Sequence, residues 1–263
     1  MIRLEDVSLV FGDGTPDRVE ALSHVSLSVE QGEFVTIIGS NGAGKSSLFN
    51  AISGLHPPTS GRVERNEVDI TQWPEHRRAA FIGRVFQDPL MGTAGNMSVQ
   101  DNLTIASYKG MKRLRISLTK ARKAELRDLL AQLDMGLEDR MTDNVGLLSG
   151  GQRQALTMLM MVLSSPDLVL LDEHTAALDP RNAAKVLELT RRFYELYDLT
   201  VMMVTHNMAM AIEYGSRLLM MDRGEVILSV DGEEKRSLTV DGLVQRFHDI
   251  RGADLSNDES RLA

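Results

Sequence analysis

Three short runs hold residue types whose chemistry is specific. Gly39-Ser40-Asn41-Gly42-Ala43-Gly44-Lys45-Ser46 fits the pattern G-x-x-x-x-G-K-[ST]. Glycines let such a loop turn its backbone N–H groups inward onto phosphate oxygens, and a following helix adds the positive end of its dipole. Lys45 is then placed for the β- and γ-phosphates of a nucleotide, and the Ser46 hydroxyl for a Mg²⁺ ion. Leu168-Val169-Leu170-Leu171-Asp172-Glu173 is an apolar run ending in two acids. Its composition delivers Asp172 to the end of a buried strand as a Mg²⁺ ligand, direct or through water, and Glu173 as a general base for water. Leu148-Ser149-Gly150-Gly151-Gln152 precedes another helical pattern. Ser-Gly-Gly ahead of a helix is a second anion-binding device as well as a serine-capped helix start. Since one ATP has one γ-phosphate, two such devices in one chain imply that the second serves a nucleotide held by another copy.

The elements around these runs give the setting the motifs require. Phe34-Val35-Thr36-Ile37-Ile38 reads as a strand buried on both faces, entering the glycine-rich loop, with a helix over Ser46 to Ile52 and Gly54 near its end. Residues 1–38 alternate as β-structure, and 61–86 read as short strands and turns. Ser98 with Asp101 opens a helical region. Ala121, Ala124, Leu126, Leu129, Leu130 and Leu133 then recur at helical spacing. After residue 155 strand and helix alternate again. Leu168–Leu171, a helix near 181–197 and Val201–Val204 form a βαβ crossover and hence a parallel sheet. Leu218–Met221, Asp222-Arg223-Gly224 and Val226–Leu228 read as a hairpin. Residues 251–263 are polar and expected to fray.

Composition narrows the class. The 263 residues carry a formal charge of −8, which disfavours nucleic acid as a partner, and no cysteine, which excludes disulfides, thiolate metal sites and a cysteine nucleophile. Two acids in the first six residues argue against a secretory signal, and no apolar run approaches the ~20 residues of a membrane span. The 15 methionines fall largely in apolar runs, which favours core packing over soft-metal binding. Residues 109–127 hold eight basic residues against the single acid Glu125. That segment is either a solvated face or one turned toward a membrane partner or anionic headgroups.

In combination the motifs resemble the ATPase subunit of ATP-binding-cassette (ABC) transporters, over about residues 1–250. The phosphate loop, Leu148–Gln152 and Leu168–Glu173 stand in the family's order. Ala177-Leu178-Asp179 is similar to its D-loop. Gln87, in Val85-Phe86-Gln87-Asp88-Pro89, matches its Q-loop glutamine, and His206, in Val204-Thr205-His206-Asn207, its switch histidine. Phe11 lies where the family stacks an aromatic on adenine. The resemblance implies an α/β P-loop NTPase core with a mainly parallel sheet, an N-terminal antiparallel β subdomain and an inserted helical subdomain. It divides the chain into core and β subdomain over about 1–87 and 155–230, a helical subdomain over about 88–154, and a polar tail over 251–263.

The same resemblance implies catalytic roles for Lys45, Gln87, Glu173 and His206. It implies Mg²⁺ ligation by Ser46, Gln87 and Asp172. Nucleotide contacts are expected from Phe11, from the loop Gly39, Ser40, Asn41, Gly42, Ala43, Gly44, Lys45, Ser46 and Ser47, and from Ser149, Gly150, Gly151, Gln152 and Asp179. The cofactors are ATP and Mg²⁺. The expected partners are a second ATPase subunit, a separate transmembrane permease and an extracytoplasmic solute-binding protein. The expected location is the cytoplasmic face of the inner membrane, held peripherally. Phe86–Ala94 is similar to the corresponding stretch of amino-acid and small-solute uptake ATPases. A soluble ATPase of iron–sulfur assembly and a lipid-trafficking ATPase are the competing readings. Two positions depart from the family. Ser47 stands where threonine is common. His174 follows Glu173 where proline is common, as either a surface substitution or a change to the local turn.

Overall fold

The computed structural model describes residues 1–107 and 118–261, with side chains described through 250. The elements in chain order are β1 (Ile2–Phe11), β2 (Val19–Val29), β3 (Phe34–Gly39), α1 (Lys45–Ser53), β4 (Ser60–Arg65), β5 (Val68–Asp69), α2 (Glu75–Arg78) and β6 (Ile82–Val85). They continue with α3 (Val99–Ala106), α4 (Lys120–Ala131), α5 (Gly150–Leu163), β7 (Leu168–Asp172), α6 (Pro180–Tyr197) and β8 (Val201–Val204). The last are α7 (Met208–Glu213), β9 (Arg217–Asp222), β10 (Glu225–Asp231), α8 (Gly232–Arg236) and α9 (Val240–Arg261). They form two compact units, Met1–Trp73 with Met202 onward, and Pro74–Val201.

The first unit holds an antiparallel sheet of order β2-β1-β4-β5. Its register pairs Leu4 with Leu27 on one side and with Val63 on the other, and all three are buried. This is the alternation visible in the sequence, with one apolar face turned inward. A second group of strands sets β3 parallel to β9, with Gly39 opposite Met221, and β9 antiparallel to β10. β8 joins it where Thr205 N–H donates to Ile37 O at 3.0 Å. Arg223 and Gly224 both take positive φ, 46° and 85°, the two-residue geometry that suits a twisted hairpin. Lys235 is buried, and its Nζ donates to Ile212 O, Tyr214 O and Gly215 O at 2.8, 2.6 and 3.0 Å. It thereby closes the carbonyl end of α7, where a cation is favoured.

In the second unit β6 runs parallel to β7, Ile82 opposite Leu168 and Val85 opposite Leu171. Val169 N–H donates to Thr200 O at 2.9 Å, beside the start of β8. The helix expected near 181–197 is α6, and its buried residues Val186, Leu189, Thr190 and Phe193 recur at i, i+3, i+4 and i+7. α5 is buried over most of its surface, Met158 and Met161 included, and Met202, Met203, Met220 and Met221 are buried as well. The methionine pairs are core, apart from a half-buried Met160.

Four expectations need correction. α4 buries Leu126 and Leu130, and Leu133 just beyond it, but Ala121 and Ala124 are exposed and Leu129 is half-buried. Short side chains reach too little of the core to widen the stripe. The 61–86 region contains a one-turn helix, α2, started by Pro74 at its N-cap. α9 continues through Arg261 where fraying was expected, and no proline interrupts the stretch. His174 is a core residue, 2% exposed, not a surface one. Of the basic segment, residues 109–117 lie outside the described residues; beyond them Arg122 pairs with Glu125 and Arg127 with Asp139.

Candidate nucleotide site

In the first unit the phosphate loop is built by close approach. β3 is buried from Phe34 to Ile38, and its one hydroxyl, on Thr36, donates to Ala211 O at 2.8 Å. A Cβ on Gly39 would lie 2.3 Å from Met221 O, and one on Gly44, at φ 97°, 2.6 Å from Ala21 O. Only glycine lets the chain pass both points. Gly44 then serves as N-cap of α1 without any side-chain hydrogen bond, and no acid stands in that helix's first turn. The positive end of α1 is therefore left for an anion from outside. Lys45 Nζ lies within the loop, donating to Gly39 O at 2.8 Å and Ser40 O at 2.9 Å. Ser46 is exposed on the first turn and Ser47 half-buried. Ser40 Oγ reaches Asp222 at 3.3 Å, while Asn41 and Gly42 are exposed and Ala43 is buried. Lysine, hydroxyl, glycines and an uncapped helix start fit a nucleotide's phosphates and a Mg²⁺ ion.

Two further residues of this unit were expected to contribute. Phe11, at the end of β1, is 39% exposed and meets His56 edge to face with ring centroids 5.2 Å apart. An exposed aromatic is available for stacking, as a core strand residue is not. His206 is exposed in the loop after β8. That loop is braced by Asn207, whose side chain accepts from Met210 N–H at 3.0 Å to cap α7.

The second unit carries the acids. β7 is buried from Leu168 to Leu171 and emerges at Asp172. Asp172 Oδ2 accepts from the Arg84 guanidinium at 2.9 Å, with only 15% and 12% of the two side chains exposed. That guanidinium also lies 4.8 Å from the centre of the Phe86 ring. Gln87, next along the chain, is exposed. Glu173 holds φ at 45°, a left-handed conformation uncommon for a residue with a Cβ and found where surrounding contacts enforce it. Behind it His174 Nε2 lies 3.1 Å from Thr190 Oγ1. Burial pulls the imidazole pKa from 6.5 down to about 4, so the ring is neutral.

The same unit carries Leu148–Gln152 and Asp179. Ser149 caps α5 in a reciprocal box: its Oγ accepts from Gln152 N–H, and Gln152 Oε1 accepts from Ser149 N–H. Gln152 Oε1 also accepts from Arg140 at 3.1 Å, and its Nε2 donates to Met135 O. The Gln152 amide is thus engaged inside the chain, leaving Ser149 and Gly150 as the exposed members, with Gly151 buried. A Cβ on Gly151 would meet Asn182 Cγ at 2.6 Å. Asn182 in turn donates from N and Nδ2 to the Asp179 carboxylate at 3.2 and 2.6 Å. These bonds hold Asp179 at the N-cap of α6 and its pKa below the usual carboxylate range.

Arg84, Thr190 and Asn182 were not singled out from sequence. Arg84 had a signal, a lone cation inside the apolar run Ile82–Val85; the other two had none. Among the described residues there is no cluster of three or more His, Asp or Glu fit to hold a metal ion. A Mg²⁺ carried on phosphates needs only one or two protein ligands. No helix among the described residues is long and apolar enough to cross a membrane.

Comparison with known proteins places this arrangement. The model of the ABC transporter family matches residues 22–176. A tyrosine transport ATP-binding protein of Clostridioides difficile is 42% identical over 250 residues, covering 94% of this chain and 98% of that protein. The phosphonates import ATP-binding protein PhnC of Lactococcus lactis is 30% identical, covering 89% and 94%. Among solved structures, a dimeric ABC transporter cassette superposes with a TM-score of 0.74 at 27% identity, over 88% of this chain and 98% of that one. A dimeric cassette in a post-hydrolysis state bound to ADP and Pi gives 0.73. The chain belongs to the ABC transporter family. It is an ATP-binding, ATP-hydrolysing subunit with the α/β fold of P-loop NTPases, and ATP and Mg²⁺ are its nucleotide and cation.

Proposed function

We propose that this chain drives uptake of an amino acid or a similar small solute through a separate permease, working as a pair of ATPase subunits at the cytoplasmic face of the membrane. The observation that carries the catalytic part is Glu173, an acid held directly after Asp172 at the end of a buried strand. The likeness to a tyrosine transport ATP-binding protein over almost the whole length of both chains supports the amino-acid class. An extracytoplasmic solute-binding protein completes such a system.

In this reading the loop Gly39–Ser47 wraps the phosphates and Phe11 stacks on the base. Lys45 balances charge on the β- and γ-phosphates. Ser46, Asp172 and Gln87 would hold Mg²⁺, which neutralises phosphate charge when bound. Glu173 accepts a proton from water as the water oxygen bonds to the γ-phosphorus. The bond to the β–γ bridging oxygen breaks, and ADP and phosphate leave. His206 orients that water and the γ-phosphate. Ser149 and Gly150, with Gly151, Gln152 and Asp179 behind them, face the nucleotide of the second subunit. Each site is then complete only when two chains close, and opens when hydrolysis removes the γ-phosphate contacts. The segment 88–154 is the helical subdomain that presents this second surface.

The test is Glu173→Gln. A general base contributes about 10²–10⁴-fold, so this variant binds ATP, hydrolyses it at least about a hundredfold more slowly, and accumulates as a closed dimer. Lys45→Ala loses ATP binding instead. Trapped E173Q with Mg-ATP, extracted gently from membranes, should co-purify with a polytopic membrane protein. Hydrolysis at the parental rate overturns the base assignment. A stable ATP-bound dimer without a membrane partner overturns transport in favour of a soluble assembly ATPase.

A further inference from the structure

The left-handed Glu173 requires something to hold it, and the residue that follows is placed to do so. His174 and Thr190 are each 2% exposed, sixteen residues apart, and their side chains meet at 3.1 Å. Thr190 Oγ1 also lies 2.9 Å from Val186 O, which can only accept. A threonine hydroxyl has one proton. Given to Val186, it leaves the oxygen as acceptor, so His174 Nε2 is the donor. The direction of the bond fixes the imidazole tautomer and locks the ring against α6. The turn between the two residues is closed as well: Ala176 N–H donates to Glu173 O at 2.9 Å and Leu178 N–H to Thr175 O at 3.2 Å. Asp179 then caps α6 through Asn182. Glu173, this turn and the first three turns of α6 form one closed loop, shut by the His174–Thr190 bond.

We propose that His174 is a positioning residue: its buried hydrogen bond to Thr190 holds Glu173 in the left-handed conformation from which it takes the proton of water, and ties that conformation to α6. A proline at 174 offers no such bond, so this chain fixes the carboxylate by a tertiary contact. The inference rests on Glu173 as the base.

The experiment replaces the acceptor and leaves the histidine alone. Thr190→Val keeps shape and volume and removes Oγ1; Thr190→Ser keeps the hydroxyl. The full chain is assayed for ATP hydrolysis, with kcat and KM separated, and for amide hydrogen exchange over residues 172–178 without nucleotide. Expected for T190V is a kcat lower by about five- to tenfold, the scale of one lost buried hydrogen bond. KM for ATP is unchanged, and exchange is faster at Glu173–Ala176 but not in α5. T190S keeps most of kcat and the slow exchange. His174→Gln, which retains a side-chain N–H donor, falls between parent and T190V, and H174Q/T190V is no slower than T190V alone. The proposal is overturned if T190V matches T190S in kcat and exchange. It is overturned equally if the loss lies in KM, or if the double variant is additive. E173Q in parallel separates the two levels. Unaltered hydrolysis there removes the base assignment whatever Thr190 does; an inactive E173Q beside an unaffected T190V removes only the positioning role.

Discussion

Arg84→Met removes the cation beside Asp172 and keeps most of the apolar stem that packs in β6. At an effective dielectric of about 20, unit charges about 4 Å apart attract by about 4 kcal/mol. An exposed pair delivers less than about 1 kcal/mol of this, whereas breaking a buried pair on one side costs about 3–5 kcal/mol because the other charge is stranded. With 12% and 15% of the side chains exposed, the pair lies near the buried limit, and about 2–3 kcal/mol is expected in the nucleotide-free protein. For a chain of this size, at about 2 °C per kcal/mol, that lowers Tm by about 4–6 °C. Calorimetry on the parent, R84M, Asp172→Asn and the double variant closes the cycle. Asp172→Asn removes the stranded charge, so R84M/D172N should melt well above the sum of the two single losses. An R84M melting within about 1 °C of the parent, or strict additivity, would refute the argument that this pair is energetically coupled.

Two further outcomes follow from buried groups. His174 titrates near 4 when folded and near 6.5 when unfolded, so on acidification the unfolded chain takes up the proton first. Stability is complete above about pH 6.5 and falls as pH drops toward 4, by about 3 kcal/mol in all. His174→Phe should lack that component, read as the difference between parent and variant in urea unfolding from pH 7 to 4; parallel curves would show that the ring is not buried neutral. Lys235→Met leaves the carbonyls of Ile212, Tyr214 and Gly215 without their ammonium donor. It should cost about 2–4 kcal/mol, seen as a lower denaturation midpoint at unchanged slope.

The sequence made the phosphate loop, the acidic strand end and the α/β class legible because each is a local statement. Glycine spacing, an apolar run and two acids in succession carry their meaning within a dozen residues, and the strands and helices around them repeat at periods of 2 and 3.6. The hairpin at Arg223-Gly224 was legible for the same reason, as a turn signal between two apolar runs. Where short side chains stood at helical spacing the reading overreached: Ala121 and Ala124 fit the period of α4 and are nevertheless exposed. Periodicity reports which face a residue lies on, not whether its side chain is long enough to reach a neighbour.

His174 marks the other limit. A histidine after two acids leaves a surface substitution and a change to the local turn both open, because polarity argues for the surface and the neighbouring residues name no partner. Its partner is Thr190, a residue with no motif around it, sixteen positions further on in α6. The same is true of Arg84: its partner is 88 residues away, and only the parallel pairing of β6 with β7, Arg84 opposite Leu170, brings guanidinium and carboxylate together. His174 and Arg84 both adjoin the pair Asp172-Glu173, and both are held by contacts distant in sequence. The types of the candidate groups are thus written in short motifs, while the contacts that balance their charge and surround their backbone come from residues that motifs do not include. Two chains with identical motifs can therefore differ in how firmly the acid after such a strand is held, and in this one the contacts around it lie within a single unit, testable by substitutions that leave every motif residue intact.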